Sequence, residues 1–306
     1  GITGGEGTGK SNYVAAIVAG CICPADADID TLGIQITANG RHKAVLLYDT
    51  EQSEVQLFKN VGNLLARARQ PNKPDELKAF CLTGMSRKER LNAIVQSMDK
   101  FYYQYGGIQL VVIDGIADLV KSANDEAESV AVIDELYRLA GIYNTCILCV
   151  LHFVPNGLKL RGHLGSELQR KAATILSIEK DEEPTQSVVK ALKVRDGSPL
   201  DVPLMLFAWD KEAGMHVYKG EKPREEKEKR KERELVNVAR DIFGRQTRIT
   251  YIDLCEQLQQ VLDIKERTAK SYIRFMRERD IITKDTANQS CFVIGSYNLQ
   301  RNASCP

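Results

Sequence analysis

The stretch that decides the fold is Gly4-Gly5-Glu6-Gly7-Thr8-Gly9-Lys10-Ser11. It matches the pattern G-x-x-x-x-G-K-[ST], in which successive backbone N–H groups at the start of a helix cradle a phosphate. The glycines are needed because a Cβ would hold the phosphate away from the backbone. We predict that Lys10 neutralises phosphate oxygens and that Ser11 binds Mg²⁺. The residues predicted to contact the phosphates are Gly5, Glu6, Gly7, Thr8, Gly9, Lys10, Ser11 and Asn12.

The context of this loop favours a phosphate site over a chance glycine turn. Residues 12–19 have the composition of a helix, and Gly20 closes it. A phosphate loop normally follows a complete buried strand, whereas only Gly1-Ile2-Thr3 precede Gly4 here. We therefore expect that part of the first strand lies upstream of this sequence.

Composition excludes several classes of protein. The chain has 306 residues, enough for about two domains, with 43% hydrophobic and 27% charged residues. No apolar run approaches the ~18 residues of a membrane span, and the first residues do not resemble a secretory leader. Eight cysteines are too few for a disulfide scaffold. We expect a cytoplasmic protein that has no membrane partner.

Short β-rich runs alternate with amphipathic stretches up to about residue 218, which predicts an α/β fold with a mostly parallel sheet and helices on both faces. Four later runs with intervening turns predict antiparallel strands at the end of this sheet. The expected early strands are 44–49, 79–82, 110–114 and 145–152, and the expected helices are 53–69, 87–103 and 126–143. The expected later strands are 174–178, 188–194, 204–209 and 215–218.

The distribution of charged residues predicts the domain boundaries after residue 220. Residues 221–234 contain no apolar side chain except Pro223 and read as a solvated helical linker. Residues 221–306 carry 18 lysines and arginines against 14 acids, so a nucleic-acid-binding surface there must be local. The predicted domains are therefore 1–220, a linker over 221–234, and a small domain over 235–306.

Two strand ends add acidic groups to the phosphate site. The apolar run Leu110–Asp114 ends in a carboxylate that can hold a water bound to Mg²⁺ beside the phosphate loop. The strand ending in Asp49-Thr50-Glu51 supplies a second acid. Hydrolysis needs a base near the attacking water, and Glu51 fits that role. A solvent-exposed loop acid is the alternative for Glu51.

With these motifs in order, residues 1 to about 217 resemble the RecA-like ATPase superfamily, which includes DnaB-type and RepA-type ring helicases, KaiC-like ATPases and strand-exchange recombinases. The resemblance implies binding of ATP with Mg²⁺ at Ser11 and Asp114, catalysis by Glu51, and γ-phosphate sensing by His152. It also implies a DNA-facing loop at residues 159–166, with Lys159, Arg161 and His163.

The same resemblance implies a homo-oligomer, expected to be a hexamer, in which Lys193-Val194-Arg195 enters the ATP site of a neighbouring copy. Residues i and i+2 of a strand face the same side, so Lys193 and Arg195 would project together. A solvated strand face is the competing interpretation. We expect the arginine to stabilise the charge that develops during phosphoryl transfer.

The C-terminal region has the pattern of a winged helix. Ala269, Tyr272, Ile273 and Met276 recur at helical spacing as a core stripe. The opposite face is cationic, and a ribbon is expected over 281–294. A winged helix places such a face in the major groove of duplex DNA, although winged helices also mediate protein contacts. The predicted DNA-binding residues here are Arg267, Lys270, Ser271, Arg274 and Arg277.

The sequence thus predicts Mg²⁺-dependent ATP hydrolysis by an oligomeric motor on DNA. Single-stranded DNA would lie in the ring, and the resemblance favours replication or mobilisation ATPases of mobile elements. Two alternatives remain open. One is a recombinase or recombination mediator that forms filaments on single strands, and the other is an ATP-switched regulator that binds duplex DNA without moving along it.

Overall fold

The large sheet is built around a very short strand that leads into the phosphate loop. The computed structural model describes residues 1–152, 162–181, 183–222, 227–244 and 246–296. In those residues the sheet has nine strands, in the order β3-β2-β4-β5-β1-β6-β7-β8-β9. They are β1 Ile2–Gly4, β2 Ala44–Asp49, β3 Leu77–Cys81, β4 Ile108–Asp114, β5 Cys146–His152, β6 Thr174–Lys180, β7 Gln186–Val194, β8 Leu204–Asp210 and β9 Met215–Lys222.

Strand direction follows the predicted change of character along the chain. Strands β1 to β6 are parallel, and β7, β8 and β9 add antiparallel pairs. The predicted α/β class, with a mostly parallel sheet and antiparallel strands at its end, is confirmed.

Helices cover both faces of this sheet because the central strands are apolar on both sides. Val45 and Leu47 of β2 pack into a core with α1 (Lys10–Ile22) and α2 (Glu54–Arg67). Leu46 and Tyr48 of the same strand face a second core. That core is shared with α3 (Arg87–Tyr105), α4 (Glu126–Ile142) and α5 (Gly162–Lys171). Such continuous apolar strands are typical of a buried parallel sheet.

The chain divides into two units, Gly1–Arg224 and Glu225–Pro306. The second unit contains α6 (Lys227–Phe243), α7 (Tyr251–Leu262) and α8 (Glu266–Glu278). Its three-stranded antiparallel sheet has the order β10-β12-β11, with β10 Ile249–Thr250, β11 Ile282–Lys284 and β12 Cys291–Ile294. It buries its own apolar cluster.

Local signals set the turns of the second unit. The Thr250 hydroxyl accepts a hydrogen bond from the Asp253 amide at 3.3 Å and caps the start of α7. Asp263 ends that helix with φ +49°, in the left-handed region.

Two predicted boundaries differ from the structure. The end of the charged stretch and the apolar residues after it form one helix: α6 runs from Lys227 to Phe243, and its second half packs into the apolar cluster of the second unit. Within the expected DNA-facing loop, Gly162–Ser166 is the first part of α5 rather than loop. Leu164 is fully buried there, and burial of this residue fixes the helix.

None of the described helices is both long and apolar enough to cross a bilayer.

Candidate functional site

The phosphate loop and the predicted acids lie at one edge of the sheet, namely the edge formed by the carboxyl ends of the parallel strands. In the register of the parallel strands, Gly4 pairs with His152, and Asp49 pairs with Asp114. Asp114 in turn pairs with Val150, two residues before His152. Since parallel strands end at the same edge, this register brings together residues that are far apart in sequence.

The loop itself is shaped by glycines. Gly7 and Gly9 have φ of +67° and +92°, in the left-handed region that glycine adopts without strain. A Cβ on Gly4 would lie 2.3 Å from the Ile178 carbonyl oxygen, so the loop also leaves β1 in close contact with β6. The Thr8 hydroxyl donates to the Gly5 carbonyl at 3.0 Å and closes the turn.

Lys10 is held inside this loop. Its ammonium donates to the carbonyls of Gly4 at 3.1 Å and Gly5 at 2.6 Å. An ammonium has three protons, so one remains for a phosphate oxygen. Burial lowers the pKa of Lys10, while the nearby carboxylates of Asp114 and Glu51 act in the opposite direction. The side chain is therefore placed to carry its charge among groups that favour it.

Hydrogen bonds of Asp49 and Thr50 fix the corner after β2, which carries Glu51. Buried Asp49 accepts hydrogen bonds from the amides of Glu51 at 3.0 Å and Gln52 at 2.8 Å. The Thr50 hydroxyl donates to the Gly115 carbonyl at 2.7 Å, which joins this corner to the end of β4. Asp49 and Thr50 thus fix the backbone, and the Glu51 side chain remains partly exposed at the edge.

Glu51 faces the histidine predicted as the sensor. His152 Nε2 lies 3.5 Å from Glu51 Oε2, and each side chain is about one-third exposed. A neutral imidazole or its protonated form can orient that carboxylate. Predicted separately from two strand ends, these residues form one pair in the structure.

One residue of the site was missed by the sequence analysis. Gly115 follows Asp114 with φ +96°, and a Cβ there would lie 2.3 Å from Thr50 Oγ1 and 2.6 Å from Glu51 Cγ. Only glycine allows Glu51 to approach the end of β4 this closely. The signal was the glycine directly after the strand-ending aspartate.

Asp114 lies in a crowded acidic environment. Burial, together with the neighbouring carboxylates of Asp49 and Glu51, raises the pKa of Asp114 from 3.8 to about 7, and Lys10 opposes this rise. A divalent cation would remove this conflict because it favours the ionised carboxylate.

The residues present fit a nucleotide with Mg²⁺. Glycines give the loop its left-handed turns, Lys10 supplies a cation, and the exposed Ser11 supplies a hydroxyl at the start of α1. Mg²⁺ prefers oxygen ligands and keeps several waters, so the Ser11 hydroxyl and the Asp114 carboxylate suffice beside two phosphates.

The structure places Lys193 and Arg195 away from this edge. Lys193 pairs with Ile175 near the start of β6, level with the start of β1 rather than with its loop. Both side chains bond the end of α5: Lys193 Nζ donates to the carbonyls of Gln169 at 2.6 Å and Arg170 at 3.1 Å, and Arg195 donates to Lys171 at 3.0 Å. Lys193 and Arg195 therefore lie at the opposite edge of the sheet from the phosphate loop of their own chain.

The residues predicted to bind DNA fall in three places. Lys159 and Arg161 lie outside the described residues, and His163 is exposed in the first turn of α5. On α8 all five predicted residues are exposed, opposite the buried Ala269, Ile273 and Met276. Two of the cations are paired within the helix, Lys270 with Glu266 at 2.6 Å and Arg274 with Glu278 at 2.8 Å.

Comparison with solved structures finds similarity to the KaiC-like protein of the hyperthermophilic archaeon Pyrococcus horikoshii. The two chains are 13% identical, with 72% of this chain and 88% of that chain covered and a TM-score of 0.48. A similarity of this size carries no argument about function. No curated protein matches the chain.

The family comparison covers the phosphate loop, the corner after β2 and the end of β4. A family model described as an AAA domain matches residues 2–156, just over half of the chain. The matched region contains Lys10, Glu51, Asp114 and His152, which the register brings to one edge. The chain belongs to this AAA domain family, within the P-loop ATPase superfamily.

Proposed function

We propose that this protein hydrolyses ATP with Mg²⁺ as an oligomer that acts on DNA. The observation that supports hydrolysis best is the placement of Glu51. Its carboxylate lies beside His152 and next to the strand end of Asp114, at the edge that carries the phosphate loop. A loop that only bound a nucleotide would need no such acid.

Each residue of the site has a distinct task in this proposal. Lys10 and the loop amides hold the β- and γ-phosphates, and Ser11 and Asp114 hold the metal. Glu51 accepts a proton from the attacking water, and His152 orients Glu51 and contacts the γ-phosphate. The chemistry that Mg²⁺ supplies when bound is neutralisation of charge on the phosphates.

Completion of the site by a second copy is part of the proposal. Lys10 is the cation in contact with the loop, and Arg195 and Lys193 of the same chain lie at the opposite edge. That position suits contact with a neighbouring copy, in which Arg195 would stabilise the charge of the transferring phosphoryl group. A hexameric ring is the assembly that we propose.

Action on DNA rests on residues of both units. His152 precedes the segment 153–161, so a shift of this histidine on hydrolysis would move a chain segment that includes Lys159 and Arg161. The small unit, with three helices, a three-stranded antiparallel sheet and a cationic α8 face, is proposed to be a winged helix that binds duplex DNA. We propose a replication or mobilisation motor in the cytoplasm.

ATP turnover measured with single-stranded and double-stranded DNA, with the oligomer mass recorded alongside, tests this function. The motor predicts stimulation by single strands in a closed ring of about six copies. Stimulation of ATP turnover together with an oligomer that grows into filaments of no fixed length would instead indicate a recombinase. Binding to duplex sites with negligible turnover would indicate a switch. A Lys10→Ala variant that retains turnover would refute the phosphate site.

A further inference from the structure

A second cleft lies on the first unit, away from the phosphate loop but at the same edge of the sheet. Its volume is ≈ 640 Å³. One wall is the start of α3, which follows β3, and the other is the segment that follows β4 and the 3₁₀ helix Ile116–Leu119. The cleft is lined by Met85, Ser86, Arg87, Lys88, Arg90, Asp118, Val120 and Lys121.

Hydrogen bonds from one side chain hold the two walls of the cleft together. Arg90, which is largely buried, donates to the carbonyls of Leu82 at 3.0 Å, Met85 at 3.0 Å and Asp118 at 3.3 Å. These hydrogen bonds tie the loop after β3 to the segment after β4. Arg90 therefore fixes the distance between the two walls.

The lining is strongly cationic. Arg90 pairs with Asp118 at 3.6 Å, and the cations that remain are Arg87, Lys88 and Lys121. These three side chains are exposed and form no ion pair among the described residues, while the Glu128 carboxylate accepts a hydrogen bond from the backbone amide of Lys121. Residues 1–220 as a whole carry more acids than bases. A concentration of unpaired positive charge in this unit is therefore unexpected unless it has a negatively charged partner.

Two of these cations oppose the stability of their own helix. Arg87 and Lys88 are the first two residues of α3, where the helix dipole disfavours positive charge. The capping box of Ser86 and Glu89 occupies the amides of these two residues. The side chains of Arg87 and Lys88 supply the positive charge that a ligand would contact. A local rule broken in this way is expected at functional positions.

A short path joins the cleft to the catalytic edge. The Gly115 carbonyl accepts the Thr50 hydroxyl, and Ile116 and Leu119 are buried in the core that follows it. Lys121 comes two residues after this 3₁₀ helix. A phosphate bound between Lys121 and α3 can thus act on the backbone at Gly115. That residue follows Asp114 and contacts the corner that carries Glu51.

We infer that Arg87, Lys88 and Lys121 bind the phosphate backbone of single-stranded nucleic acid in this cleft, and that this binding stimulates hydrolysis. The inference rests on the proposed action on DNA and deepens it. The lining offers cations and one exposed methionine but no aromatic ring for a base, so the contact would be with phosphates and independent of sequence.

The test compares the full chain with the variant Arg87→Gln, Lys88→Gln, Lys121→Gln. Binding of a fluorescein-labelled 30-mer of dT is measured by anisotropy over a range of salt. The matched control is Arg41→Gln, Arg69→Gln, Lys211→Gln. It removes three exposed cations, two that precede β2 and β3 at the opposite edge of the sheet and one in the turn after β8.

Loss of three phosphate contacts should lower the slope of log affinity against log salt by about 2, and weaken binding at least tenfold at 0.1 M salt. Stimulation of ATP turnover by the 30-mer should fall in parallel, with basal turnover within twofold of wild type. The variant should unfold at no lower temperature, because α3 loses unfavourable charges at its start. The control variant should differ little from wild type in each measurement.

An unchanged slope, or an equal change in the control, would overturn the cleft as a nucleic-acid site even if ATP is hydrolysed. Inorganic phosphate or pyrophosphate that displaces the 30-mer at micromolar concentration would also overturn it and indicate a site for a small anion. If the slope changes as expected but no ATP is turned over, the cleft stands as a binding site, whereas its stimulating role and the proposed hydrolysis both fail.

Discussion

Gly115 shows how one residue without a side chain can position another, Glu51, which we propose to be catalytic. A Cβ on Gly115 would lie 2.6 Å from Glu51 Cγ, and the Thr50 hydroxyl donates to the Gly115 carbonyl. The glycine is therefore a positioning residue: it makes room for the carboxylate and allows a backbone angle that other residues adopt only with strain.

Substitution Gly115→Ala should displace Glu51. We expect the turnover of ATP to fall about a hundredfold, because a displacement of about 1 Å at a catalytic group has an effect of that size, while nucleotide affinity changes little. Steady-state turnover and nucleotide binding check this. Gly214→Ala is the control, since Gly214 also has positive φ, +62°, but no atom within 4 Å of a Cβ. Equal effects of the two changes would show that backbone strain alone is responsible.

The raised pKa of Asp114 predicts a pH-dependent stability of the protein without nucleotide. The folded pKa is about 7 and the ordinary value is 3.8, so the folded state binds the proton more tightly than the unfolded state. The contribution of Asp114 to stability is thus fully present below about pH 4 and is lost as the pH rises to 7.

An Asp114→Asn variant does not lose stability in this way, because an asparagine side chain does not titrate. The free energy of unfolding of each protein is measured in urea. The value for the variant minus that for wild type should increase as the pH rises from 4 to 7 and then stay constant. A difference between the two proteins that does not change from pH 5 to pH 8 would contradict the raised pKa. ATP turnover of the variant should be lost at every pH, because the metal ligand is missing.

At the scale of elements, α8 combines a core stripe with a cationic face that is partly neutralised by its own acids. Glu266 and Glu278 pair with Lys270 and Arg274 at i, i+4. Such exposed pairs contribute little to stability because water and salt screen them. They affect DNA binding more, because a paired cation must leave its acid to contact a phosphate.

Removal of these acids should strengthen DNA binding. For Glu266→Gln with Glu278→Gln we expect at least threefold tighter binding to duplex DNA and a steeper dependence on salt, since two cations become available for phosphates. Anisotropy with a labelled duplex measures both. Glu256→Gln, an exposed acid on α7, is the control. No change in affinity would mean that the cationic face of α8 is merely solvated.

At the scale of the whole molecule, the site extends beyond a single copy in the proposed function. Lys193 and Arg195 share a strand face and bond the last carbonyls of α5, so their own phosphate loop lies at the far edge. The same contacts would suit a purely structural role, since basic side chains commonly satisfy the carbonyls at a helix end.

A mixing experiment separates these roles. Arg195→Ala keeps its phosphate loop, and Lys10→Ala keeps its arginine, so each alone should lack turnover. Co-assembled in equal amounts, they should regain up to about a quarter of wild-type turnover, because about one interface in four pairs an intact loop with an intact arginine. Turnover no greater than the sum of the separate variants would refute the contribution of Arg195 in trans.

Much of the site was predictable because its residue types follow strand ends in the sequence. The loop Gly4–Ser11 and the strand-ending acids Asp114 and Glu51 follow from local patterns. Gly115 could not be assigned in this way, because its role depends on a contact with the end of another strand. The cleft at Arg87, Lys88 and Lys121 was likewise missed, since its two walls are thirty residues apart.

The sequence by itself determined the α/β class, the phosphate loop and the acids, because apolar periodicity and glycine conformation act within a few residues. Only the tertiary structure decided that Glu51 faces His152, that Gly162–Ser166 is helical, and that Lys193 and Arg195 lie at the far edge from Gly4. The physical reason is that strand order and register are fixed by burial on two faces of the sheet, which joins residues more than a hundred positions apart.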